Sequence, residues 1–121
     1  MNAPSQYLLG LYVAECRGQT PVSPGVVADL VGRSPATVIE AFRQFEEEGL
    51  VVYEPYEGAA LTDDGHGRAV ELHETYVVLS WFFRSVLDLD DYETEAMKMA
   101  DVVSPAVAER LAAVLPYEES E

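Results

Sequence analysis

Lysine is nearly absent from this sequence. Its 121 residues include one lysine, Lys98, and six arginines, whereas aspartate and glutamate number 22, so the formal net charge is −15. The carboxylates are spread along the chain rather than gathered in one tail. Such a coat keeps a protein soluble in molar salt, where the Debye length falls to about 3 Å. We therefore expect a halophilic protein that holds at most monovalent ions such as K⁺ at its surface, an ordinary acidic protein being the alternative.

Cysteine and long apolar runs are also scarce. Cys16 is the only cysteine, so no disulfide can form within the chain. We expect Cys16 to be a small buried core residue, with a redox-sensing thiol or a link between subunits as the alternative. No apolar run approaches the roughly 18 residues of a membrane span, and the N-terminus lacks the basic start of a secretory signal. A cytoplasmic protein without a membrane contact is the expectation.

Serine-proline pairs mark the predicted helix starts in the first half of the chain. A first helix is predicted over about residues 4–17, and two more are predicted to begin at Ser23-Pro24 and Ser34-Pro35. Serine accepts a backbone N–H at a helix N-cap, and proline is favoured at the first helical position. The third helix, over about residues 35–48, carries an apolar face at Val38, Phe42 and Phe45. Two short helices joined by a tight glycine turn are typical of a helix-turn-helix.

The segments after the third helix complete the pattern. LVVYE and AALT predict two short strands, and PYEG between them has turn chemistry, so a β-hairpin directly follows the helix-turn-helix. This order predicts a winged helix-turn-helix.

The second half of the chain is predicted to be helical. Thr62 begins a long helix that we expect to continue to Leu89, and its residues 76–87 are apolar nearly all round. A single buried face needs fewer apolar residues, so this segment predicts burial against both its own domain and a partner. DYETEAMKMADVV and SPAVAERLAAVL predict two further helices before an acidic tail, PYEESE. The fold class is therefore mainly α with a small β-hairpin: a DNA-binding domain over residues 1–64 and a helical dimerisation region over residues 65–121.

The order of these segments resembles the diphtheria toxin repressor family of metal-dependent winged-helix repressors. The resemblance is carried by YLLGLY (7–12), SPATVIEAFRQFEEEGLVVYEPYEGAALTDDG (34–65), and VLDLD (86–90) followed by EAMKMADVVSPAVAERL (95–111). In length the chain is similar to the shorter, manganese-type members, and its composition suggests a haloarchaeal-type member. The resemblance implies a homodimer on palindromic double-stranded DNA, with each recognition helix in a major groove.

The metal ligands of that family do not carry over. The positions of the regulatory site fall on Gln6, Met97, Ala100 and Asp101, and the ancillary pair falls on Tyr76 and Ser80. Transition metals bind several imidazole, thiolate or carboxylate donors, which these residues do not supply. We therefore expect no metal site and no cofactor.

The resemblance places DNA contacts at the start and on the outward face of the third helix, with the wing beside it. Serine and threonine hydroxyls bind phosphates or base edges, and arginine and glutamine reach base edges in bidentate fashion. Glu40 either accepts from cytosine or repels phosphate, and Tyr56 either contacts DNA or packs on the hairpin. The candidate DNA-binding residues are Ser23, Arg33, Ser34, Pro35, Ala36, Thr37, Glu40, Arg43, Gln44 and Tyr56. The candidate dimerisation residues are Tyr76, Val77, Leu79, Trp81, Phe82 and Phe83.

The sequence thus predicts a homodimeric, sequence-specific transcription regulator that works in high salt, is not activated by metal, and responds to stress or redox state. The alternative is a winged helix used for protein contacts in a transcription or replication assembly. An enzyme is not expected, because no nucleophile–base pair, metal motif or phosphate-cradling glycine loop is recognisable.

Overall fold

The computed structural model describes residues 5–114, which form six helices and one β-hairpin. The elements are α1 Gln6–Cys16, α2 Pro24–Val31, α3 Pro35–Glu47, β1 Val51–Glu54, β2 Gly58–Leu61, α4 Asp63–Ser85, α5 Tyr92–Met99 and α6 Pro105–Val114. The predicted class, mainly α with a winged helix-turn-helix, is confirmed. The predicted start of the first helix near residue 4 and the acidic tail PYEESE lie outside the described residues.

Helices α2 and α3 form the helix-turn-helix, and local signals define both ends of the turn. Gly32 stops α2 in the left-handed conformation with a φ of 71°, which costs glycine no side-chain clash. Ser34 caps α3, because its Oγ accepts from the amide of Thr37 at 3.3 Å. Ser23 precedes α2 at the equivalent position but makes no such side-chain bond. The two serine-proline pairs therefore mark helix starts, although only Ser34 caps its helix.

The apolar face of α3 is buried as predicted, and a glycine turn ends the helix. Val38, Phe42 and Phe45 are between 0% and 3% exposed. Gly49 follows the helix with a φ of 79°, and the amide of Leu50 donates back to the carbonyl of Phe45 at 2.9 Å. This backbone pattern is a Schellman motif, which satisfies the last carbonyls of a helix. It turns the chain directly into β1.

The wing is an antiparallel hairpin with an additional short partner. Val51 pairs with Leu61 and Glu54 pairs with Gly58. Val22, just before α2, also pairs with Ala59 of β2 through two backbone hydrogen bonds of 2.8 Å. A Cβ on Gly58 would lie 2.6 Å from the carbonyl oxygen of Val22, so this approach depends on glycine. The wing is thereby attached to the segment that leads into the helix-turn-helix.

Thr62 joins the end of the wing to the start of α4. Its hydroxyl donates to the carbonyl of Gly49 at 2.7 Å and accepts from the amide of Gly65 at 3.0 Å. Its own amide donates to the carbonyl of Leu50 at 3.0 Å. A Cβ on Gly65 would collide with the backbone carbonyl of Leu50. The helix start can lie against this carbonyl only because position 65 has no side chain. We name this set of contacts the Thr62 junction.

Helix α4 ends at Ser85, and the predicted continuation to Leu89 is wrong. Asp88 adopts a left-handed φ of 57°, which a right-handed helix cannot continue. The amide of Leu89 then bonds to the carbonyl of Phe83 at 2.9 Å. By contacts, the chain divides into two compact units after Glu71, inside α4, whereas the predicted domain boundary after residue 64 stays a prediction.

We expect Gly65→Ala to destabilise the protein by at least about 2 kcal/mol, because the new methyl group would force a backbone carbonyl to move. The matched control is Gly67→Ala in the same helix, where a Cβ meets nothing within 4 Å. Alanine is the better helix former, so the control should gain about 0.5–1 kcal/mol. Denaturant unfolding of both variants measures the difference. Equal stability of the two variants would contradict the close approach at Leu50.

Candidate nucleic-acid interface

The start and outer face of α3 are open to solvent. Residues 33–37, Glu40 and Arg43 are all exposed, and Gln44 is half-buried. The side chains at 38, 41, 42 and 45 face inward at helical spacing, which leaves this other face free for a ligand. Of the remaining predicted contacts, Ser23 and Tyr56 are also exposed. The fold therefore presents the predicted DNA-binding residues at its surface.

Two hydroxyls at the entrance of α3 are already ordered. The Oγ of Ser34 and the Oγ1 of Thr37 are 3.0 Å apart, and both residues are exposed. Because a hydroxyl both donates and accepts, this pair can keep its mutual hydrogen bond and still bind one phosphate oxygen or base edge. Pro35 has no N–H and Ser34 caps the amide of Thr37, so the first turn offers the amide of Ala36 together with the positive end of the helix dipole. An anion is the ligand that this end of α3 favours.

The charges around α3 are mixed. Arg33 and Arg43 are exposed and make no ion pair within residues 5–114. The EEE run follows directly, but its first member has a structural partner, because the Oε2 of Glu46 accepts from the amide of Tyr53 in β1 at 3.2 Å. Glu47 and Glu48 remain exposed beyond the C-terminus of the helix. Cationic contact with DNA on this face thus depends on two arginines.

Tyr56 occupies the tip of the wing in a strained conformation. Its φ is 72°, and the amide of Glu57 donates to the carbonyl of Glu54 at 3.0 Å. With Pro55 before it, this is the pattern of a type II turn, whose third position favours glycine or asparagine. The side chain is as exposed as in an isolated residue, at 107%, so packing does not compensate the strain. Its alternative role in hairpin packing is excluded.

Cys16 is exposed at the last turn of α1, and the expectation of a buried core residue is wrong. The inward positions of that helix are taken by Leu8, Leu11 and Ala14, each at most 1% exposed. A thiol at position 16 points away from this face. The prediction of a redox role for Cys16 stays a prediction.

The predicted dimerisation residues divide into two groups. Leu79 and Phe83 are 3% and 8% exposed and pack with Ala96 in the core of their own unit. They therefore offer little surface to a second chain, because tertiary packing has already buried them. Tyr76, Val77, Trp81 and Phe82 keep part of their surface accessible. A contact of these four with a second copy stays a prediction.

His73 of this unit has a shifted pKa. Burial lowers the pKa of His73 below its ordinary value, and the neighbouring carboxylate of Glu74 opposes the shift without cancelling it. The imidazole ring lies 5.8 Å from the ring of Tyr76. Desolvation disfavours the charged form, so His73 is mainly neutral at pH 7.

Within residues 5–114, no three His, Cys, Asp or Glu side chains gather closely enough to hold one metal ion. None of the helices in that range has the length and apolarity needed to cross a membrane.

Residues 2–59 match the family model of the iron dependent repressor N-terminal DNA binding domain. The chain is also similar to an uncharacterized HTH-type transcriptional regulator of Methanocaldococcus jannaschii, at 28% identity over 107 residues that cover 87% of this chain and 86% of the relative. Among solved structures, the manganese regulator SloR aligns at a TM-score of 0.77 and 25% identity over 98% of this chain and 55% of its own. A manganese-dependent transcriptional repressor in complex with manganese aligns at a TM-score of 0.77 and 27% identity, over 92% of this chain and 51% of its own. The chain thus spans about half the length of these two solved structures.

These similarities correct the expectation about cofactors. The sequence predicted none beyond monovalent ions, whereas one similar structure is a manganese regulator and the other is a manganese-dependent repressor in complex with manganese. The prediction is contradicted at the level of the protein class. At the level of residues, a cluster of three metal-binding side chains is missing from the described part of the chain. The described residues alone therefore do not fit a metal centre of the kind that the resemblance implies.

The sequence did not predict which residues hold α3 and the wing in position. Thr62, Gly65 and Glu46 bind or approach backbone atoms that are 7 to 15 residues away. Thr62 and Gly65 were visible in the sequence as part of the family pattern, but their partner carbonyls were not. Glu46 stands in the acidic run 46–48, and nothing in that run indicates a partner in β1.

We expect Tyr56→Asn to leave the protein at least as stable as the wild type, because asparagine tolerates the left-handed conformation and Tyr56 loses no packing. The same change should weaken DNA binding about fivefold, the loss of one contact of about 1 kcal/mol. Thermal unfolding and a fluorescence-anisotropy titration with operator DNA measure the two effects. Tyr56→Phe is the matched control, since it keeps both the ring and the strain. A Tyr56→Asn variant that is less stable and binds DNA normally would assign Tyr56 to the fold instead.

Proposed function

Residues 2–59 match the iron dependent repressor N-terminal DNA binding domain. From this similarity we propose that the chain is a homodimeric transcription regulator that binds a palindromic operator in concentrated salt. The observation that carries the proposal is the exposed face of α3. It combines the positive end of the α3 dipole, two ordered hydroxyls and two arginines that make no ion pair within residues 5–114, and the wing stands next to it. These are the groups with which helix-turn-helix proteins bind phosphates and base edges.

The proposed DNA contacts form two groups, one at the start of α3 and one further along its exposed face. Arg33, Ser34 and Thr37 lie at the helix entrance, where phosphate binding orients the protein on the duplex. Glu40 and Arg43 lie one and two turns further along the exposed face, where side chains reach base edges in the major groove. Arg43 is suited to bidentate contact with guanine, and Glu40 is suited to accept from cytosine.

Dimerisation is proposed through the unit that begins at Leu72. Large apolar side chains remain exposed there, and contact with a second copy would remove them from water. They are Val86, Leu87, Leu89, Met99, Val102, Val107 and Val114, between 38% and 75% exposed. A twofold-symmetric pair would present two α3 helices to two half-sites.

Light scattering in molar KCl should give twice the mass of the chain, and a monomer would contradict this part of the proposal.

We expect the purified chain to select an inverted repeat from random duplex DNA, with half-site centres separated by about one helical turn or a multiple of it. Arg43→Gln should then weaken binding by about tenfold or more and relax the preference at one position in each half-site. Arg17→Gln, at an exposed arginine that follows α1 and lies outside α3, the wing and the proposed dimerisation unit, is the matched control and should bind as the wild type does. The selection is repeated with MnCl₂ and with a chelator, since the similar structures are manganese-dependent. Failure to enrich any sequence under either condition would favour the alternative, a protein-interaction module.

We expect operator binding to be only moderately sensitive to salt. Each neutralised phosphate contributes about −0.9 to the slope of log K against log salt, so the two exposed arginines of each protomer give a dimer a slope of about −4 or shallower. A repressor with many lysine contacts has a slope of about −10. Anisotropy titrations in KCl from submolar to molar concentrations measure it. A slope near −10 would contradict a protein built for concentrated salt.

A further inference from the structure

A small cleft lies between the end of α4 and the start of α5, within the second unit. Its volume is about 240 Å³, and it is lined chiefly by Tyr76, Ser80, Trp81, Arg84, Tyr92 and Glu93. Cavities for drug-sized ligands are typically about 300–1,000 Å³, so this cleft suits a smaller molecule. The residues Tyr76, Ser80 and Arg84 follow one another at intervals of four and therefore share one face of α4.

Arg84 is held in the cleft by aromatic rings instead of a carboxylate. Its guanidinium carbon lies 5.4 Å from the ring centroid of Trp81 and 5.7 Å from that of Tyr92. No acidic side chain of residues 5–114 forms an ion pair with it, in a chain with 22 acidic residues and seven basic ones. Cation–π contacts fix the position of the group but leave its N–H donors free. An arginine that is positioned by rings and not paired with a carboxylate is available to bind an anionic group.

Two further polar groups lie on the same cleft. The Oγ of Ser80 is buried and has no hydrogen-bond partner in the part of the chain that the structure describes. Glu93 is exposed on the α5 side and makes no ion pair with Arg84. Two opposite charges therefore line one small cleft without neutralising each other. A molecule that carries both a carboxylate and an ammonium group can satisfy both.

We propose that this cleft binds a small α-amino acid with an apolar side chain. The carboxylate lies on Arg84, the ammonium group faces Glu93, and the side chain packs against the aromatic walls. Such a zwitterion has no net charge, so the protein's formal charge of −15 does not repel it as it repels a simple anion. As an effector site the cleft rests on the proposed function, but binding of the amino acid itself does not require DNA.

Part of the cleft coincides with the ancillary metal site that the family resemblance implies. Tyr76 and Ser80 stand where the resemblance places the ancillary metal ligands. A phenol and an alcohol are weaker donors for a divalent transition metal than imidazole and carboxylate. In this chain the same face of α4 therefore carries groups that suit an organic ligand.

The test uses Trp81, the only tryptophan of the chain, as an internal probe. Its fluorescence is titrated in the full-length protein, without DNA, with two amino acids, L-leucine and L-phenylalanine. Each is compared with its analogue that lacks the amino group, 4-methylpentanoate or 3-phenylpropionate. The analogues that lack the carboxylate are 3-methylbutylamine and 2-phenylethylamine. We expect at least one amino acid to change the emission and to bind about tenfold more tightly than either of its analogues.

Variants separate a ligand site from a structural role. Arg84→Gln should weaken amino-acid binding by about tenfold or more, and the matched control Arg110→Gln should not change it. Should Arg84→Gln fail to fold, Glu93→Gln provides the second test at an exposed position. It should weaken binding of the amino acid and strengthen binding of the carboxylate analogue, because a repulsive charge has been removed. A purely structural role for Glu93 predicts no such opposite change.

Three results would overturn the proposal. The first is the absence of any emission change and of any calorimetric heat with both amino acids. The second is equal binding of an amino acid and its carboxylate analogue, which would leave Glu93 without a role. The third is an emission that depends on protein concentration alone, which would assign the cleft to contact between copies. Because none of these measurements uses DNA, they fail or succeed independently of operator binding.

Discussion

The backbone carbonyls of Gly49 and Leu50 receive the hydrogen bonds on which the geometry of the DNA-binding unit depends. Thr62 donates to both of them, with its hydroxyl at 2.7 Å and its amide at 3.0 Å, and also caps α4 through Gly65. The Thr62 junction therefore fixes the end of α3, the start of β1 and the start of α4 at one place. Recognition helix and wing are positioned by the same few bonds, so a DNA surface made of both is ordered before DNA binds.

Acidic side chains have two different uses in this fold. Glu15 and Glu46 accept from the amides of Leu61 and Tyr53 at 2.9 Å and 3.2 Å, and so satisfy strand N–H groups of the two-stranded wing. Exposed strand edges invite pairing with other chains, and a charged side chain at the edge opposes this. Glu47 and Glu48 accept no such bond from residues 5–114 and are exposed to solvent. Beside them, the proposed DNA contacts come from hydroxyls and two arginines rather than from a basic surface.

In the second unit some apolar side chains are buried in the core and others stay exposed. Leu79 and Phe83 close that core with Ala96, while Trp81 and Tyr92 hold a guanidinium between their rings. Arg84 thus lies on aromatic faces and forms no ion pair with a carboxylate of residues 5–114, although the chain has 22 acidic residues. In this chain the cleft beside Arg84 is the place where the side-chain chemistry suits a ligand.

The sequence by itself determined the order and the ends of most elements. Ser34-Pro35 begins α3, Gly32 and Gly49 end helices through left-handed turns, and the hairpin follows from LVVYEPYEGAALT. These signals act within a few residues, so they are readable without the fold. The tertiary structure decided what lies far apart in sequence: the bond from Leu61 to Glu15 across 46 positions, the inward turn of Phe83 and the exposure of Cys16. Burial and long-range hydrogen bonds depend on which surfaces meet, and local patterning does not contain that information.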